Sequence, residues 1–283
     1  MSSNHDLNQA IDLWLKEDIR EGDHTTISTI PPDATGSALL LAKQEGIIAG
    51  IAAAASVFKR FDNQINVEPR ISDGDPISVG EVVLQVTGRV HSILQCERLV
   101  LNIMQRMSGI ATATREYAEI IAGTGTRILD TRKTTPGFRL LEKEAVRLGG
   151  GANHRFGLYD MIMIKDNHID FAGGIEPAIR GTMSYLKENN LDLTIEVETR
   201  NLEDVKKVIA MGGVQRIMLD NFTVDQTKEA VKLIGGRCET ESSGGITHET
   251  IRSYAECGVD FISVGALTHQ VSSLDLSLKA DFQ

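Results

Sequence analysis

Cations and carboxylates recur at intervals through the second half of this chain. Arg132, Lys133 and Arg139 fall within one short segment, DTRKTTPGFR. His154 and Arg155 follow in GGGANHRFGL, and Lys165 and His168 in MIKDNH. Glu196 and Glu198 lie in LTIEVE, Asp220 closes RIMLD, and two glycine turns come after them, Ser243-Gly244-Gly245 and the Gly265 of SVGA. An arginine fork matches a carboxylate or phosphate, and a lysine adds a point charge. Glycine turns offer backbone N–H groups to a phosphate, above all at a helix N-terminus. Any one of these cations read alone is a surface charge. Read together, they point to a small phosphorylated substrate with several negative charges. Carboxylates among such anions call for a cation, and near phosphate that cation is Mg²⁺.

The elements that must gather these residues have a clear rhythm. Short β-branched runs fall at 127–131, 161–165, 193–198, 216–220, 239–243 and 261–265. Each ends at or just before Arg132, Lys165, Glu198, Asp220, Ser243 or Gly265, at gaps of 33, 33, 22, 23 and 22 residues. About 22 residues holds one strand, one helix and two short loops, and 33 the same unit with an insertion. Apolar helical segments such as 202–211 and 223–233 lie between the runs. Alternating strands and helices give a parallel sheet, and in a (β/α) barrel the carboxyl ends of the strands share one face. Residues far apart in sequence then meet at one mouth. A seventh or eighth strand has room in 149–160 or in the insertions.

In LTIEVE, Thr194, Glu196 and Glu198 share one face and the aliphatic residues the other. On an ordinary antiparallel sheet those carboxylates face water. In a parallel sheet covered on both sides they are buried, where an unpaired charge costs several kcal/mol. That burial is the second reason to expect a cation beside them.

The first 112 residues read differently. An amphipathic helix over 6–18 is followed by short β-rich pieces from about 62 to 95, punctuated by Asp73-Gly74-Asp75-Pro76, Gly80 and Gly88, and then a long helix over 96–122. We therefore divide the chain at 112/113, with a C-terminal tail from about 270 packing back on the first domain. The apolar run at 47–58 is too short for a membrane span of ~20 residues and suits a packed helix.

The 283 residues are 41% hydrophobic and 24% charged, which excludes a disordered chain. Lys and Arg number 29 against 39 Asp and Glu, a net charge of -10, so a general grip on nucleic acid is not expected. Three scattered cysteines make neither a disulfide framework nor a zinc cluster. The polar MSSNHDLNQA has no secretory pattern, and the cytoplasm is the expected location.

The segments ERLVLNIMQRMSGIATAT, DTRKTTPGFR, GGGANHR, IKDNH, EVET, LDN, ESSGGI and SVGALTH, in this order and spacing, closely resemble the quinolinate phosphoribosyltransferase family over roughly residues 20–280. The resemblance implies an α/β fold: an N-terminal α+β open sandwich domain, then an incomplete (β/α) barrel of the type II phosphoribosyltransferase kind. It implies transfer of phosphoribosyl from phosphoribosyl pyrophosphate to quinolinate with loss of CO₂, Mg²⁺ as cofactor, and a homodimer or trimer of dimers. By the same resemblance Arg132, His154, Arg155 and Lys165 hold the quinolinate carboxylates, and Arg98 reaches in from the neighbouring subunit. His168 lies near them. Lys133, Glu198, Asp220, Ser243, Gly244, Gly245 and Gly265 serve the sugar pyrophosphate. Lys133, Lys165, Glu198 and Asp220 are the expected catalytic set, and Glu198 and Asp220 the metal ligands. Three rivals stay open: a sister enzyme with another heterocyclic acid, a Schiff-base aldolase using Lys165, and a non-catalytic homologue.

Overall fold

The computed structural model describes residues 2–281, with side chains from residue 6 onward. By its internal contacts the chain divides into two compact units, residues 1–115 with 134–150 and 267–283, and residues 116–133 with 151–266. The first unit therefore takes one later segment, 134–150, besides the tail. Glu142 explains the middle one. Its buried carboxylate accepts the backbone N–H and hydroxyl of Thr135 (3.0 and 2.8 Å) and faces Arg106 at 3.0 Å.

In the first unit α1 (Ser2–Ile19) and α2 (His24–Thr29) precede strands β1 (Thr35–Ala42) and β2 (Gly46–Ile47). Helix α3 (Ile51–Phe61) follows, then β3 (Asn66–Pro69), β4 (Pro76–Ile77), β5 (Val82–Arg89) and α4 (Val90–Ile120). The run at 47–58 is largely α3, which buries Ile51, Ala53, Ala54, Val57 and Phe58 along one side. Asp73 accepts the N–H groups of Ile51 and Ala52 (2.9 and 3.1 Å), satisfying donors that a helix start leaves orphaned. The main sheet runs β12–β1–β5–β3, where β12 (Leu276–Asp281) pairs antiparallel with β1. One expectation needs correcting here. Residues 90–95 belong to the first turns of α4 rather than to the β-rich stretch, because the β5 ladder ends at Arg89.

Asp62, buried at the end of α3, knits this unit together. It accepts hydrogen bonds from Ser92 Oγ (2.7 Å), Arg89 Nε (2.8 Å) and the Gln64 N–H (3.1 Å). The Ser92 bond foremost, with the Gln64 and Arg89 bonds, outweighs burial and holds its pKa below the ordinary 3.8. A carboxylate so depressed stabilises the fold above 3.8, and that share is lost as pH falls through the lower folded value. Asp62→Asn should cost about 1.5–3 kcal/mol near neutral pH. Urea denaturation should show the gap between the two proteins closing well below pH 3.8. A gap that does not depend on pH would remove the charge from the explanation.

The second unit holds the parallel sheet β6–β11–β10–β9–β8–β7. Its strands are β6 (Arg127–Leu129), β7 (Ile162–Ile164), β8 (Ile195–Thr199), β9 (Arg216–Asp220), β10 (Glu239–Ser243) and β11 (Phe261–Ser263). All six expected strands are present within a residue or two. Helices α6 (Asp166–Ala172), α7 (Ile175–Glu188), α8 (Leu202–Met211), α9 (Val224–Ile234) and α10 (Ile251–Ala255) connect them, while α5 (Arg139–Leu148) belongs to the first unit and α11 (Ala266–His269) begins at the edge of the second. Among the described residues no further strand joins β6 to β7. The room left at 149–160 yields a single bridge, Leu129 to Ala152. The barrel is incomplete. Every residue of β8 is buried, as expected for a parallel strand covered on both faces, so Glu196 and Glu198 are taken out of water by the topology itself.

Candidate active site

The second unit brings the ends of its strands together. Glu198 on β8, Asp220 at the end of β9 and Ser243 at the end of β10 lie on three neighbouring strands, Ser243 in register with Asp220. Lys165 follows β7 directly, and its Nζ lies 3.7 Å from Oε2 of Glu198. Burial raises the Glu198 carboxyl pKa; the Lys165 charge opposes this and the Asp220 charge adds to it. A buried carboxylate that feels a second one nearby is a pair of hard oxygen donors. That is what Mg²⁺ takes, and these two residues fit it.

Asp220 is held from the side by its own neighbour. Asn221 has φ +56°, the left-handed region that Asn tolerates, and donates from Nδ2 to Oδ2 of Asp220 at 2.7 Å. Its backbone N–H bonds to the Ser243 carbonyl at 2.9 Å. Gly244 closes over the same side chain: a Cβ there would sit 2.3 Å from Asn221 Oδ1, on a backbone at φ +96°. Asn221 thus couples the carboxylate to the glycine turn. Sequence reasoning did not single it out. The signal was there in LDN beside SSGG, two segments that only the β9–β10 register puts together.

The cations collect around β6 and the loop before β7. Arg155 has its pKa lowered by burial first and by the Arg132 charge second. Its Nη1 donates to the Met161 carbonyl at 3.4 Å, and Lys133 donates its backbone N–H to Thr131 Oγ1 at 3.1 Å. His154 is buried: its N–H donates to Oδ1 of Asp130 (2.8 Å), and its Nδ1 accepts the Arg155 N–H (2.7 Å).

Arg139 is the first residue of α5 in the other compact unit, where its Nε donates to Thr134 Oγ1 at 2.9 Å. Arg98 is exposed on α4, also in the first unit. It lines a cavity of about 340 Å³ with Trp14, Asn102, Arg106, Thr135 and Phe138. His168 Nδ1 accepts the Lys165 N–H at 2.9 Å, closing a capping box that starts α6. Gly244-Gly245 does not lead straight into a helix: α10 starts at Ile251, after a turn in which Thr247 N–H bonds to Thr250 Oγ1 (3.0 Å). Any phosphate cradle here is made by the turn itself, with Gly244 and Gly245 both at positive φ. Gly265 directly precedes α11.

No helix among the described residues is long and apolar enough to cross a membrane. Two family models match. That of the quinolinate phosphoribosyl transferase N-terminal domain covers residues 23–108, and that of the C-terminal domain covers 110–279. The chloroplastic nicotinate-nucleotide pyrophosphorylase (carboxylating) of Arabidopsis thaliana is 50% identical, over 98% of this chain and 83% of that protein. A mitochondrial quinolinate phosphoribosyltransferase (decarboxylating) of Nicotiana glauca is 47% identical over the same shares. The solved nicotinate-nucleotide pyrophosphorylase of Francisella tularensis superposes with a TM-score of 0.91 at 38% identity, covering 98% of this chain and 97% of its own. The rim of carboxylates and cations is therefore seen in a chain whose two halves both match one family, and this protein belongs to the quinolinate phosphoribosyltransferases.

Proposed function

We propose that this chain joins quinolinate to phosphoribosyl pyrophosphate, giving nicotinate mononucleotide, pyrophosphate and CO₂. The observation that carries it is the placement of a cation cluster, Arg132, Arg155 and Lys165, in the same unit as the Glu198–Asp220 pair. Lys165 is nearly half exposed and faces Glu198, which is not the desolvated amine a Schiff-base aldolase needs.

Arg132, Arg155 and Lys165 bind the two carboxylates of the pyridine diacid and fix its ring nitrogen toward the sugar. Lys133 and the backbone of Ser243, Gly244, Gly245 and Gly265 hold phosphate groups. Glu198 and Asp220 would hold Mg²⁺, which when bound offsets the charge of the leaving pyrophosphate. As the bond from ribose C1 to pyrophosphate oxygen breaks, positive charge grows on C1, and the fixed carboxylates stabilise it. The ring nitrogen forms the new bond to C1 with its lone pair. The bond from C2 to its carboxylate then breaks, CO₂ leaves, and the electron pair left on C2 takes a proton. The pyridinium ring is the electron sink, and the protein supplies orientation.

Incubation with quinolinate, phosphoribosyl pyrophosphate and Mg²⁺ should release CO₂ and nicotinate mononucleotide in equal amounts. Transfer without CO₂, or onto nicotinate instead, would replace this reading with that of a sister enzyme. The active unit is proposed to be a dimer in which Arg98 completes the partner's site, a reading supported by its exposure on α4 in the other compact unit. Mixing Arg98→Ala subunits with Lys165→Ala subunits should then restore part of the activity that each lacks alone. Mixtures no more active than their components would remove Arg98 from the site.

A further inference from the structure

Beneath the rim, the second unit buries more charge than the reaction needs. His154, Glu196 and Glu241 are each less than a tenth exposed. Nε2 of His154 lies 2.9 Å from Oε2 of Glu196 and 3.4 Å from Oε2 of Glu241. Arg216 Nη1 reaches the same Glu241 oxygen at 3.2 Å, with its guanidinium 4.0 Å over the Phe261 ring. Glu196 is fully buried, and the His154 ring approaches its carboxyl at 2.9 Å.

The three buried groups lie within 4.8 Å of one another, and Arg216 reaches Glu241 beside them while also pairing with Glu239 at 3.0 Å. Burial would raise the Glu241 carboxyl, yet the His154 and Ser263 bonds and the Arg216 charge hold it low. The Arg155 N–H aimed at Nδ1 requires a lone pair there, so the ring's proton lies on Nε2, toward the two carboxylates.

We infer that Glu196 and Glu241, with Arg216 behind Glu241, are positioning residues for the substrate-binding cations: they clamp His154, and His154 sets Arg155 through its backbone N–H. His154 then has one ring nitrogen on the buried carboxylates and the other on Arg155, with its own N–H on Asp130. Its part in holding quinolinate is exerted through Arg155 rather than by touching the carboxylates. This inference rests on the quinolinate reading of the site. It deepens that reading by naming what fixes the selective arginine from below. A fork displaced by about 1 Å loses its alignment, which can cost ~10²-fold.

The test uses the full chain and begins with the wild type. No CO₂ from quinolinate and phosphoribosyl pyrophosphate would sink the parent reading and this inference with it. With wild-type activity in hand, Glu241→Gln and Glu196→Gln should each lower kcat/KM for quinolinate by ~10²-fold while leaving the KM for phosphoribosyl pyrophosphate within about twofold. Combining Glu241→Gln with His154→Ala should add nothing to the loss of His154→Ala alone, since a residue that acts through the ring has nothing left to position. An unchanged or lower KM for quinolinate, equal losses on both substrates, or additive losses would each overturn the inference. Should these variants fail to fold, nitrogen-15 spectra of histidine-labelled wild type decide. A slowly exchanging Nε2 proton on His154 with a bare Nδ1 supports the clamp, and a ring in free exchange with water overturns it.

Discussion

Asp220→Asn should lower turnover by ~10²-fold or more, the loss expected for one preorganised electrostatic group. The substitution keeps the shape and removes one charge from a pair, so the loss reports electrostatics rather than packing. Glu198 and Asp220 interact strongly enough that Asp220's charge contributes to the raised Glu198 carboxyl pKa. Neutralising either carboxylate therefore removes half of a matched oxygen donor set, and the metal requirement should rise with it. Steady-state rates over a series of Mg²⁺ concentrations measure both effects. Wild-type turnover in Asp220→Asn would exclude Asp220 from the chemistry, whatever its place at the rim.

Gly244→Ala should be nearly as damaging, by a different route. The added methyl would lie 2.3 Å from Asn221 Oδ1 and 3.0 Å from its backbone nitrogen, at φ +96°. Something must move by about 1 Å, and a displacement of that size near reacting groups can cost ~10²-fold. Asn221 is what moves, and with it the hydrogen bond that steadies Asp220. Backbone strain of order 1–3 kcal/mol adds a stability loss. The KM for phosphoribosyl pyrophosphate should rise while that for quinolinate changes little, since the acid-binding arginines stand around β6. Steady-state kinetics with each substrate varied in turn separate the two, and a rise confined to quinolinate would break the link between the glycine turn and the sugar phosphate.

The sequence made the second unit readable because each strand ends in a residue with a task. The intervals between Arg132, Lys165, Glu198, Asp220, Ser243 and Gly265 are those of a strand-helix repeat, and local pattern is enough to find such a repeat. What stayed hidden depends on pairing across distance. The reading assigns no element to TGSALLLA, yet it forms β1, because its three leucines fit a helix as well as a strand and its partners are β5 and β12. Asn221 gains meaning only when Gly244 is placed over it. Glu196 could be seen to share a face with Glu198, but that it faces His154, with Arg216 serving Glu241, follows from pairing across the sheet and from no local pattern. Arg139, close to Lys133 in sequence, is carried by α5 in the first compact unit, a division no local pattern shows.

The pairing of β1 with β12 has a bearing on how the chain comes off the ribosome. A strand made early must wait for a partner made much later, so its free edge stays open until β12 emerges. Until then, unpaired N–H and C=O groups on that edge are available to any other nascent strand. Removing the final segment should therefore harm yield in the cell more than it harms any surviving molecule's chemistry, because what is lost is the cover that ends the exposure.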